Sequence, residues 1–483
     1  MNFTQPEFLI LFVLFLPIYF ALRRRVHAQT AVMTVASYIF YAWFDWRFLG
    51  LLFLSTVVDF YFALVIDNAR RTTRPPYSID VAKYTLIGSI AYNMIVLGFF
   101  KYFDFFMDSA QRVSDDLGFR ESFPILQIVL PAGISFYTFQ SLSYVFDVYD
   151  GKLRPTDRLW DFAAYISFFP HLVAGPILRG AYLMPKIVHE RKMSRAMFLS
   201  GLQLALWGYF TKLVLADNMA FIVNGVFRNP APHGAAVVIA TYAFAFQIYG
   251  DFMGYTNIAR GISRMMGFEL VLNFNLPYFA ANPSEFWRRW HISFSSWLRD
   301  YLYIRLGGNR NGRLSTYRNL LVTMLLGGLW HGAAWNFVIW GAYHGILLAV
   351  HRAFRGERRS VGAAAVEREH PLLLKLLAIF FFFQLTCIGW LIFRARGFQD
   401  LVAKFKAVLL YTRLEEFWSP DAWRLLAFVL PFVAFEVYQY VTGDLEPWRR
   451  WPRPVRTLWY VALLVLIAIL VPEVQTPFIY FQF

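Results

Sequence analysis

Residues 316–350 read TYRNLLVTMLLGGLWHGAAWNFVIWGAYHGILLAV. Two apolar pieces, 316–330 and 333–350, flank Trp330-His331-Gly332. A helix crosses the hydrocarbon of a bilayer, roughly 30 Å, in about 20 apolar residues. Arg299, Arg305, Arg310, Arg313 and Arg318 precede or open the stretch, and Arg352, Arg355, Arg358, Arg359 and Arg368 follow it. Loops rich in Lys and Arg face the cytoplasm. The two pieces therefore predict a hairpin, 316–350, that enters the membrane from inside and returns. A 15-residue first arm reaches only about 22 Å, which sets its tip, His331, within the membrane thickness.

The rest of the chain agrees with a membrane reading. Of 483 residues, 58% are hydrophobic, 20% aromatic and only 16% charged, against about 25% charged in soluble domains. An ordinary soluble enzyme and a disordered chain are both excluded. The single cysteine, Cys387, excludes an internal disulfide framework and a Cys-rich metal site. The net charge of +15 is read as cytoplasmic loops and not as a nucleic-acid interface, because no separate basic domain exists.

Hydropathy marks candidate spans at 7–22, 30–44, 48–66, 84–103, 124–146, 159–175, 196–215, 236–257, 316–330, 333–350, 371–393, 424–441 and 457–471. No long polar linker divides them, so 1–483 reads as one all-α polytopic domain. The first run, without a basic leader, reads as a retained span. Arg23, Arg24 and Arg25 place its end inside and the N-terminus outside. Arg70, Arg71, Arg74 and Lys83 then fall inside, and the acidic 104–121 loop, with Asp104 and Glu121, outside. The basic run Arg179–Arg195 follows 159–175 and breaks the alternation, so that piece reads as re-entrant, with Pro170 and Gly175-Pro176 permitting a broken helix. The polar stretch 258–319 reads as a basic cytoplasmic face. The segment 473–483 falls outside. Lys404, Lys406 and Arg413 conflict with this count unless they lie on an interfacial amphipathic helix.

His331 is the first chemical candidate. An ionisable group inside a bilayer is a functional candidate by default, and imidazole suits general-base work because it changes charge near neutrality. Gly327, Gly328 and Gly332 beside it allow close approach of backbone or substrate. The plainer alternative is a histidine that bonds between helices. His291, in Glu285-Phe286-Trp287-Arg288-Arg289-Trp290-His291, is the second. Two histidines at one cavity divide work between taking a proton and orienting. The alternative is an interfacial helix whose aromatics lie at headgroup level. Glu285 and Asp300 read as partners of the neighbouring arginines. Asp217 reads as structural, and His27, His189, His233 and His351 as solvated. Metalloprotease, nucleophile-elbow and P-loop motifs are absent. The aromatic ending Pro477-Phe478-Ile479-Tyr480-Phe481-Gln482-Phe483 reads as an interfacial anchor, or as a tail whose Tyr480 folds back into the site.

Glu285–Ser293, Trp297-Leu298-Arg299-Asp300-Tyr301-Leu302-Tyr303 and Gly327-Gly328-Leu329-Trp330-His331-Gly332 resemble the membrane-bound O-acyltransferase family, in its branch that modifies bacterial polysaccharides. Leu130–Phe139, Phe169–Pro176 and the Tyr480-Phe481-Gln482-Phe483 ending extend the likeness over nearly the whole chain, with Ala132 standing where the family pattern has isoleucine. The resemblance implies tilted helices and re-entrant segments around a central tunnel in the bacterial inner membrane, with His331 as the central histidine and His291 as the second polar site. It implies no bound cofactor or metal. The expected acyl donor is a cytoplasmic acyl-CoA or acyl carrier protein, docked on Arg288, Arg289 and Arg299. Transfer is expected to run toward an external hydroxyl of an exopolysaccharide such as alginate, through a periplasmic partner transferase. The external placement of the tail separately makes Tyr480, folded back into the outer tunnel mouth, a candidate acyl relay. Rival readings are D-alanyl or other acyl transfer to a cell-wall polymer, a passive polysaccharide or lipid transporter, and a non-catalytic scaffold.

Overall fold

The computed structural model describes residues 1–72, 77–119, 122–172, 175–355 and 371–481. Arg74, Glu121, Val173, Ala174, Arg358, Arg359, Arg368, Gln482 and Phe483, used above, lie outside them. The described residues form helices joined by short connections, with no β-strand among them. Eight of these helices are long and apolar enough to cross a membrane, from Trp46–Arg71 to Arg453–Leu470. The molecule is an all-α, multi-pass membrane protein.

Several expected spans change form. The 124–146 span is helical only from Ile134, and residues 122–131 have no regular secondary structure. Pro124 and Pro131 interrupt any helix there, since each lacks a donor and clashes with the preceding turn. Gly133 then starts the helix at φ 73°, where a Cβ would lie 2.6 Å from the Leu172 carbonyl oxygen. The acidic 104–121 stretch, expected as a loop, is helical over Phe103–Asp116. Asp104 accepts the backbone N–H of Leu126 and of Ile128, each at 2.8 Å, and so ties down the irregular segment. The 159–175 piece is broken into Leu159–Ser167 and Phe169–Leu172.

The basic 258–319 stretch is not a solvated loop. Its start belongs to the 32-residue helix Gly234–Met265, and Arg264 is buried and paired with Glu269 at 2.8 Å. Its middle is folded into short helices that bury Phe286, Trp290 and Phe294. Aromatic burial outweighs the charge pattern here, because each such ring removes about 150–250 Å² from solvent. Lys404 lies on the helix Phe398–Leu410, fully buried and paired with Asp400.

The hairpin is present, with longer arms than expected: Gly312–His331 and Trp335–Arg355. Twenty residues span about 30 Å, so arm length alone no longer holds His331 at mid-depth. The glycines explain the packing. A Cβ on Gly328 would lie 2.2 Å from the Phe337 carbonyl oxygen, and one on Gly341 2.3 Å from that of Met324. The two backbones touch, as small residues allow in membrane helix pairs.

The chain forms two compact units. One holds Met1–Leu202 with Ala259–Val271. Inside it, buried Asp59 accepts hydrogen bonds from Ser89 Oγ, Asn93 Nδ2 and Ser141 Oγ. Arg191 there bonds Gln29 Oε1 at 2.8 Å. The Asp59 carboxylate is thus satisfied locally, as burial demands. The other unit holds Gln203–Ile258 with Leu272–Phe483 and contains both candidate histidines.

Candidate active site

His331 is the last residue of the Gly312–His331 helix. Gly332 leaves the helix in an extended conformation (φ −160°), and a Cβ on it would strike the Phe337 ring at 2.1 Å. The chain therefore turns sharply at the histidine. The ring is 4% exposed. It is walled edge-on by Trp340 at 5.1 Å, Phe294 at 5.4 Å and Phe393 at 5.5 Å, all measured between ring centres. Thus the glycines beside His331 bring protein groups close, which is the backbone half of what the sequence suggested.

His291 is fully buried, its ring centre 6.5 Å from that of His331. It precedes the short helix Ile292–Trp297 with φ 42° and ψ 54°. The left-handed region is uncommon for a residue with a Cβ and is often stored at functional sites. Asn273 holds it there. The Ile292 N–H donates to the Asn273 carbonyl at 2.9 Å. The Ser293 backbone N–H donates to Asn273 Oδ1 at 3.2 Å, and Ser293 Oγ–H at 2.9 Å. A backbone N–H can only donate, so the amide atom that meets it is the oxygen. His291 Nδ1, 3.1 Å from that same oxygen, must then carry the proton. The neutral ring is left with a lone pair on Nε2. Nε2 and Asn273 Nδ2 are both buried and make no hydrogen bond among the described residues. Such atoms call for a partner: Nε2 for a hydrogen-bond donor, Nδ2 for an acceptor.

In this segment Pro283–Arg289 is a short helix, Arg288 is exposed, and Trp290 is buried, stacked on Phe286 at 5.6 Å.

Tyr480 completes the cluster. Its ring centre lies 5.6 Å from His331, 6.4 Å from His291 and 4.8 Å from Phe252. Phe478 and Ile479 before it are buried. Phe478 and Tyr480 do not serve as interfacial anchors, because both pack inward on protein rings.

The membrane-bound O-acyltransferase family profile matches residues 154–393. Over 398 residues the chain is 42% identical to the probable alginate O-acetylase AlgI of Azotobacter vinelandii, across 82% of this chain and 76% of that protein. The chain belongs to the membrane-bound O-acyltransferase family. It is an acyltransferase. It is also 34% identical to the peptidoglycan O-acetyltransferase of Helicobacter pylori, over 78% of this chain and 73% of the relative. Similarity to the teichoic acid D-alanyltransferase of Bacillus subtilis is 29% identity over 55% of this chain and 69% of the relative.

The acyltransferase thus brings His331, His291 and Tyr480 together. The three arginines named with them stand differently. Arg289 pairs with Glu285 at 2.9 Å and donates to the Asn275 carbonyl at 3.1 Å. Arg299 is exposed and pairs with Asp300 at 2.6 Å. Arg288 is exposed. The pairing of Glu285 and Asp300 with their neighbours is as the sequence suggested. Sequence reasoning missed Asn273, which carries no motif of its own, and His344, buried 4.7 Å from Trp340 on the second arm. An intramembrane histidine in Gly341-Ala342-Tyr343-His344 was the available signal.

Asn273 gives a first prediction. Asn273→Ala removes the acceptor that sets the His291 tautomer, a hydrogen bond of about 1–1.5 kcal/mol. Acyl transfer in membranes should fall about five- to tenfold, while Asn273→Asp, which keeps the acceptor, should retain most of it. Equal rates in Asn273→Ala and wild type would show that the tautomer is irrelevant to turnover.

Proposed function

We propose that this acyltransferase moves an acetyl group from a cytoplasmic thioester, on coenzyme A or an acyl carrier protein, to hydroxyls of an exopolysaccharide of the alginate kind. A periplasmic partner transferase takes part, and the protein resides in the bacterial inner membrane with both termini outside. The observation that carries the reading is the buried His331 beside His291, at the end of a hairpin arm. The names of the relatives support the acceptor class, since those most similar act on O-acetylated polymers. D-alanyl transfer has weaker support, from a relative of lower identity and coverage.

His331 acts as general base. It takes the proton of the acceptor hydroxyl as that oxygen attacks the thioester carbonyl carbon. The tetrahedral intermediate collapses, the C–S bond breaks, and the imidazolium returns the proton to the thiolate. General-base catalysis of this kind contributes about 10²–10⁴-fold. His291 Nε2, held as an acceptor, orients the attacking hydroxyl by receiving its hydrogen bond until His331 takes the proton. Exposed Arg288 and Arg299 meet the anionic phosphates of the donor. The surface pair between Arg299 and Asp300 opposes this little, because exposed pairs are worth only about 0–1 kcal/mol.

Tyr480 serves as an acyl relay: its phenol is the hydroxyl that first attacks the thioester, with His331 as base, and an outer hydroxyl then attacks the resulting aryl ester, breaking its bond to the phenol oxygen, which regains a proton. The test of the whole reading is the acetyl-ester content of polymer from cells carrying His331→Ala at wild-type protein level; unchanged esters there would end it. The relay has its own test. After treatment with acetyl-CoA, mass spectrometry of the peptide spanning Tyr480 should show a gain of one acetyl group on Tyr480, and Tyr480→Phe should lose at least about 90% of polymer esters, the size expected for a lost covalent step. No adduct together with a fully active Tyr480→Phe removes the relay.

A further inference from the structure

Four polar groups outside the histidine cluster meet in the interior of the same unit. Lys212 Nζ lies 2.6 Å from Asp217 Oδ1 and 2.8 Å from Asp251 Oδ1, and donates to the Thr476 carbonyl at 2.9 Å. The side chains of Lys212, Asp217 and Asp251 are 1%, 0% and 4% exposed. Lys212 sits in a wide, π-helical turn, Thr211–Ala216, and such turns often mark functional sites. One cation faces two carboxylates. A buried charge is tolerated only when paired and hydrogen-bonded. The missing donors come from the chain beyond the last helix. Thr476 Oγ–H donates to Asp217 Oδ1, and the Ile479 backbone N–H donates to Asp251 Oδ2 at 2.7 Å. Asn218, next to Asp217, donates to the Leu470 carbonyl at 2.9 Å where that segment begins.

We propose that Lys212, Asp217 and Asp251 form an ionic latch that draws Thr476 and Phe478–Tyr480 into the protein and sets Tyr480 against His331, making them positioning residues for acyl transfer. The cluster and the segment complete each other: without the segment both carboxylates lose a donor, and among the described residues the cluster supplies the polar partners of the Thr476 side chain and the Ile479 N–H. Ile479 is one residue from Tyr480, so the bond to Asp251 sets the height at which the phenol meets the imidazole. Phe478, packed on Tyr255 at 4.5 Å between ring centres, fixes the rotation. The role in transfer rests on the function proposed above, whereas the anchoring does not.

The test separates the two. Hydrogen exchange on the purified full chain in lipid nanodiscs reads the anchoring directly. Asp251→Ala leaves the neutral Lys212–Asp217 pair but removes the acceptor of Ile479 N–H. Exchange at Ile479 and Tyr480 should rise about tenfold or more, the effect of losing one charge-assisted hydrogen bond, while the Trp335–Arg355 helix keeps its protection. Asp251→Asn retains an acceptor oxygen and should stay within about threefold of wild type. Thr476→Ala, a change on the segment itself, should raise exchange in the same direction and decides the matter alone if Asp251→Ala fails to accumulate. Polymer esters should fall with the loss of protection. Unchanged exchange in the variants overturns the latch. Freed residues 471–481 with wild-type esters overturn its role in transfer. Wild-type esters in His331→Ala refute the function itself, and the exchange result then still judges the anchoring.

Discussion

His331→Ala should cut polymer acetylation about 10²–10⁴-fold, the range that a positioned general base contributes. That loss corresponds to about 3–5 kcal/mol of barrier. No second titratable group of the cluster can replace it. His291 Nδ1 is committed to Asn273, and its ring centre is 6.5 Å away. Tyr480 is a weak base. His331→Gln separates chemistry from packing, because it keeps a polar side chain among Trp340, Phe294 and Phe393 yet offers no basic nitrogen. Both variants should accumulate in membranes, and both should be inactive when acetyl esters are measured per cell. A His331→Gln strain with abundant protein and normal esters would remove the imidazole from the mechanism.

Gly341→Ala should destabilise the protein by about 3 kcal/mol, at the upper end for forced overpacking. Its new methyl would lie 2.3 Å from the Met324 carbonyl oxygen and 3.1 Å from Leu325 Cα. Neither contact is the far end of a side chain, so relief requires the two arms of the hairpin to separate. Separation moves His331 away from the Trp340 wall, and activity falls with stability. Gly225→Ala is the matched control. A Cβ there meets nothing within 4 Å, and alanine is a better helix former than glycine by about 1 kcal/mol. Thermal unfolding in detergent should show a lowered midpoint for Gly341→Ala and an equal or raised one for Gly225→Ala. Equal midpoints for the two would mean that the arms are not in backbone contact.

How much of this was legible beforehand differs by element. Hydropathy found the long spans, because crossing a bilayer imposes length and composition on each helix separately. It misread 124–133, where proline overrides an apolar run. In 258–319 the arginines drew the reading to charge, while the short helices and buried aromatics of that stretch emerged only in the fold. His331 and His291 were visible as unusual ionisable residues in apolar surroundings, each with a plausible local role. Asn273 was not, since an asparagine between apolar residues looks like any turn former.

Residue by residue, composition determined that this chain lives in a membrane, and the glycines around Trp330-His331 marked a place where backbone or substrate could approach closely. Those properties depend on neighbours in the chain. The tautomer of His291, the burial of Phe478 and Ile479 and the meeting of Tyr480 with His331 depend on partners 18 to more than 200 positions away. Only folding brings such groups within hydrogen-bond range, because a buried polar atom must find its partner wherever the packed helices supply one.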